Sequence, residues 1–97
     1  MNEPATGWLF RPGEALPLQV TAQGARFSLA ELRTIVGGHI EAVPVRYAGR
    51  WSYLIVNDRG KLEGLRFNQA ATEAFSEFLA GDWIAGHALV VERGALG

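Results

Sequence analysis

The side chains with binding or catalytic chemistry in this chain cluster in its middle and near its end. They are His39, Glu41, Asp58, Arg59, Lys61, Arg66 and His87. On a strand, His39 and Glu41 share a face, because side chains alternate. With His87 they offer two imidazoles and a carboxylate, the groups of a metal site or an acid–base pair. The H-x-E spacing of His39 and Glu41 occurs in zinc deaminases, but that chemistry also needs a cysteine pair, and the chain has no cysteine. A strand-start histidine and a bulge-adjacent histidine with backbone partners explain the two rings more simply. No metal and no cofactor is therefore expected. Glu41 or Asp58 acting with His39 or His87 defines the enzymatic alternative.

Charge is unevenly spread along the chain. Between residues 46 and 66 stand Arg46, Arg50, Arg59, Lys61 and Arg66 against Asp58 and Glu63. From Phe67 to Trp83 stand Glu73, Glu77 and Asp82 with no cation. Solvated strand ends followed by a helix face account for such a pattern. It also fits a local anion site, or complementary surfaces that join copies head to tail. Arg59, Lys61 and Arg66, with Glu41 as the accompanying acid, are the expected ligand-binding residues.

Other chemistries are poorly supplied. Without cysteine there are no disulfides, thiolate metal sites or thiol nucleophiles. Ser28 reads as a helix cap, and no serine lies in a nucleophile elbow. Gly37-Gly38 follows a helix instead of opening one, the wrong order for a phosphate loop. Asn57-Asp58-Arg59-Gly60 lacks the later acidic ligands of a calcium loop. A net charge of −1 argues against generic nucleic-acid binding. Trp51 and Tyr53 with Arg46 and Arg50 keep weak stacking on single strands as a further alternative. Three tryptophans are many for so small a core, and such rings are enriched at interfaces.

These residues must be held by a single domain, since 97 residues are too few for two proper cores. Gly7–Arg11 and Leu16–Val20 read as strands, the second alternating from Leu18 on and pushed to an edge or a strand start by Pro17. Ser28-Leu29-Ala30-Glu31 is a capping box opening a helix through Leu29, Leu32, Ile35 and Val36 that ends at Gly37-Gly38. Ile40–Tyr47, with Pro44 arguing for an edge or bulge, turns through Ala48-Gly49-Arg50 into Trp51–Val56, a strand apolar enough to be covered on both faces. Asn68 caps a second helix, whose apolar face runs from Phe67 to Leu79 and which stops at Gly81. Trp83–Glu92 reads as a last strand with a bulge at Gly86. The expected fold class is α+β, two helices packed on a largely antiparallel sheet, in the order β-β-α-β-β-α-β. Residues 1–6 and 94–97 are expected to be loose ends. No leader and no membrane span is visible, and the lack of cysteine favours a reducing compartment, so the expected location is the cytoplasm.

Three blocks carry a resemblance: Val36-Gly37-Gly38-His39-Ile40-Glu41, Val56-Asn57-Asp58-Arg59-Gly60-Lys61-Leu62-Glu63-Gly64-Leu65 with Asn68-Gln69-Ala70-Ala71-Thr72, and Gly81-Asp82-Trp83-Ile84-Ala85-Gly86-His87-Ala88-Leu89-Val90-Val91. Over about residues 28–91 the chain resembles a family of small uncharacterised domains of bacteria, plasmids and phages. Asp58 stands where that family often has glutamate. The resemblance implies a shared fold and a mobile-element origin, and it implies no activity. The resulting expectation is a non-enzymatic binding or accessory module, homo-oligomeric, that captures a small anionic ligand or a partner protein.

Overall fold

The computed structural model describes residues 3–97. Strand β1 is Thr6–Phe10, β2 Leu18–Thr21, β3 Ile40–Tyr47, β4 Arg50–Asn57 and β5 Ala88–Glu92. Helix α1 is Leu29–Val36 and α2 Gln69–Ala74; single 3-10 turns occupy Ser76–Phe78 and Arg93–Ala95. The five strands form one antiparallel sheet in the order β2-β1-β5-β4-β3. The element order is the β-β-α-β-β-α-β of an α+β domain. No helix among the described residues is long and apolar enough to cross a membrane.

The helices lie on opposite faces of the sheet. Alternation sends Leu54 and Val56 of β4 to one side, where they meet Phe10, Val45, Ala88 and Val90 with Ala71 and Phe75 from the α2 segment. Ile55 of β4 faces the other way and meets Leu89 and Val91 with Leu32 and Val36 from α1. That two-sided cover is why Trp51–Val56 reads as nearly unbroken apolar sequence. Phe75 is fully buried, edge-to-face with Phe10 at 5.3 Å and 5.7 Å from Tyr47.

Helix α1 forms as its caps dictate. The Glu31 N–H donates to Ser28 Oγ, the Ser28 N–H donates to Glu31 Oε1, and Gly37 closes the helix in the left-handed region. Helix α2 starts at the expected Asn68 cap but is shorter than its apolar pattern. It ends at Ala74, and the chain tightens into the 3-10 turn Ser76–Phe78. The tighter winding brings positions three apart onto one side, so Phe78 follows Phe75 towards the core.

Strand β5 is also shorter than expected, because Trp83–His87 is a loop. Its backbone groups are taken by the α2 segment and the residues before it. The Asn68 N–H donates to Ile84 O at 2.9 Å, the Ile84 N–H to Thr72 Oγ1 at 2.9 Å, and the Gly86 N–H to Arg66 O at 2.7 Å. Ile84 and Ala85 are apolar because they are buried in this loop, not because they belong to the sheet.

Nor are residues 94–97 loose. The Phe27 N–H donates to Ala95 O at 2.7 Å, the Gly97 N–H donates to Phe27 O at 3.1 Å, and Leu96 packs on the α1-side core. Of the expected N-terminal loose end, Met1 and Asn2 lie outside the described residues. Ala5 is already bonded, its N–H donating to Gly24 O and its carbonyl accepting from Ala22.

Pro44 sits where it weakens nothing inside the sheet. The Asp58 N–H donates to His39 O, which makes His39 and Asp58 a hydrogen-bonded pair. Alternation along the β3–β4 register then turns the backbone groups of residues 41, 43, 45 and 47 towards β4 and those of 40, 42, 44 and 46 outwards. Pro44 therefore lacks its N–H at an outward position, which interrupts the free edge of the sheet.

Candidate functional site

The chain leaves β4 through a buried amide. Asn57 Nδ2 donates to Val36 O at 3.2 Å and to Glu63 Oε1 at 3.3 Å, and Asn57 Oδ1 accepts from the Arg59 N–H at 2.8 Å. One side chain thus ties the end of α1 to the turns that follow β4. Within those turns Gly60 is pressed against the 83–87 loop; a Cβ there would lie 2.8 Å from Ala85 O. The turn at 58–64 and the loop at 82–85 therefore face each other.

Between them, and against the outer end of β3, lies a cleft of about 520 Å³. Glu41, Asp58, Arg59, Lys61, Asp82 and Trp83 supply its polar and aromatic lining, with Leu62 and Phe78 among its apolar members. The Lys61 ammonium pairs with Asp82 and lies 4.9 Å from the centre of the Trp83 ring, a cation–π contact. The hydrogen bond from Lys61, followed by the Trp83 N–H at 2.8 Å, holds the Asp82 carboxyl below the usual aspartate range. Trp83 also stands edge-to-face with Phe67 at 5.8 Å. Leu62 is 83 % exposed at the rim.

Three of the four expected ligand residues meet here: Glu41, Arg59 and Lys61. Arg66 does not join them. Its guanidinium lies beside Gly13, and its side chain borders hollows shared with Glu14 and Glu73 on one side and Pro12, Ile35 and His87 on the other. His87 lines that second hollow and not the cleft. His39 neighbours Asp58 across the β3–β4 pair, but its imidazole makes no hydrogen bond to a carboxylate among the described residues. No group of three or more metal-ligating side chains occurs among the described residues.

Sequence reasoning missed Asp82, Trp83 and Leu62 as site residues. The available signal was an acid next to a tryptophan just after the helix stop at Gly81. It was hidden because Trp83–Glu92 reads as one strand.

The family described as a domain of unknown function (DUF3846) matches residues 6–95. The chain belongs to this family. The DUF3846 match takes in β1 and β2, beyond the residues 28–91 that carry the motif resemblance. No curated protein and no solved structure matches the chain. In this DUF3846 domain all three motif blocks contribute to the cleft, the last through Asp82, Trp83, Ile84 and Ala85.

Proposed function

We propose that this domain is a non-enzymatic binding module that captures a partner protein through the cleft between the 58–64 turns and the 82–85 loop. The observation that carries the reading concerns the motif residues. Most of them serve the fold: Asn57 and Asn68 fasten segments, Thr72 holds Ile84, and the glycines close turns or admit neighbours. Glu41, Asp58 and Leu62 are exposed, and their side chains hold nothing in place among the described residues. All three line the cleft. An exposed leucine and tryptophan flanked by charges of both signs suit a protein surface.

The charge balance favours a protein over a small anion. The cleft carries Glu41, Asp58 and Asp82 against Arg59 and Lys61, and Lys61 is already engaged by Asp82. The anionic-ligand reading keeps one support, the Arg59 guanidinium, which has no carboxylate partner among the described residues. The motif resemblance and the lack of cysteine suit an accessory protein of a mobile element working in the cytoplasm.

The test compares immobilised wild-type chain with Leu62→Ser/Glu41→Lys in lysate of the source cell. Leu29→Ser, on exposed α1 surface, serves as the control. A protein held by wild type and control but lost by the cleft variant is the expected result. Identical retention by all three overturns the reading. Native mass spectrometry of the gently purified chain decides the other reading: a small retained mass that disappears in Arg59→Ala establishes an anion site.

A further inference from the structure

We infer that the cleft's occupant is a second copy of this chain, which inserts the corner formed by Arg46 and Trp51. This names the occupant of the protein-binding cleft and rests on that reading. Once Lys61 and Asp82 neutralise each other, Glu41 and Asp58 outnumber Arg59. The complementary guest is apolar or aromatic and carries a cation.

The chain displays such a group at the tip of its β3–β4 hairpin. Trp51 is 55 % exposed, and the Arg46 guanidinium lies 5.3 Å from the centre of its ring. Arg46 bonds only the Gly49 carbonyl, at 3.2 Å, and has no carboxylate partner among the described residues. Arg50 beside it is already paired with Glu92 at 3.0 Å.

Arg46 cannot serve its own cleft. It lies five residues from Glu41 along an extended strand, about 17 Å, more than the two side chains together can span. Another molecule's cleft is within its reach. Corner and cleft are also adjacent. Phe78 lines the cleft and stands edge-to-face with Trp51 at 6.4 Å. A two-fold axis passing near Phe78 seats each corner in the other copy's cleft. Both sites are filled at once, and the assembly closes as a dimer instead of growing into a filament. Arg46 of each copy then faces Glu41 and Asp58 of the other, and Trp51 meets Leu62.

Sedimentation equilibrium over a concentration series tests this with exposed charges whose reversal leaves the core intact. The wild-type chain is expected to dimerise reversibly. Glu41→Arg and Arg46→Glu are each expected to weaken the dimer by about tenfold or more. Both reversals in one chain are expected to restore it. Trp51→Ala, which keeps every charge, must also weaken it. A chain that stays monomeric, single reversals without effect, or a double reversal no better than the singles would each overturn the inference. If the chain is monomeric yet a lysate protein is still lost on Leu62→Ser/Glu41→Lys, the dimer falls and the cleft remains a binding site. If the charge exchange restores the dimer while lysate retention is identical for all variants, the dimer stands and capture of a third protein falls.

Discussion

Asn68 fastens three segments with one amide. Its Nδ2 donates to Phe10 O at 2.9 Å and Gly86 O at 2.8 Å, while its Oδ1 accepts the Ala71 N–H at 3.1 Å. It is fully buried. Replacing it with alanine leaves two carbonyls without donors and removes the cap of α2. Asn68→Ala is expected to lower stability by about 3 kcal/mol in urea unfolding, at the upper end for an uncompensated buried polar group. Only the cap was legible in the sequence, because capping is local. The bonds to Phe10 and Gly86 span 58 and 18 residues and depend on how the segments pack. Glu31 makes the pH prediction. The Ser28 N–H first and the Gln23 N–H second hold its carboxyl below its ordinary value of 4.5. The unfolded chain therefore takes up this proton first on acidification. The contribution of Glu31 is fully present above the ordinary value and is lost as pH falls through the lower folded one. Glu31→Gln keeps an acceptor but cannot titrate. Its urea midpoint is expected to lie below wild type at neutral pH and to converge with it as the pH falls below the ordinary glutamate value.

The hairpin between β3 and β4 is closed by Ala48 and Gly49, with φ of 51° and 80°. Two central residues at positive φ define the turn that best matches strand twist, and asparagine is favoured at its first position. Alanine is strained there. Ala48→Asn is expected to stabilise the domain by about 0.5–1 kcal/mol, read as a raised urea midpoint with an unchanged slope. The sequence revealed that the chain turned here but placed three residues in the loop, since alanine carries no signal for positive φ. The same limit blurred α2 and β5. Their apolar spacing reported burial, and burial was satisfied by a 3-10 turn and a packed loop as well as by helix and strand. The cleft was half legible for a related reason. Glu41, Arg59 and Lys61 stand out in the sequence by their charge and setting, whereas Asp82 and Trp83 became site residues only when the loop at 82–85 folded against the 58–64 turns.

The whole sheet has two free edges of unequal risk. β2 has four residues and follows Pro17, while β3 has eight and is interrupted at Pro44. Copies of the domain are thus discouraged from joining edge to edge, which leaves side-chain surfaces for association. The layer order was beyond the sequence, because alternation along a strand gives two faces without saying which helix covers which.

The position of β5 has a consequence for how the domain comes into being. The strand nearest the C-terminus lies between β1 and β4, so the two hairpins share no ladder until it arrives. A ribosome that has released everything up to β5 has made two hairpins with nothing to unite them, each carrying an open inner edge. The domain is therefore expected to fold late in its synthesis, in one step, when that strand emerges. A chain stopped just short of it would expose the apolar faces that β5 normally joins.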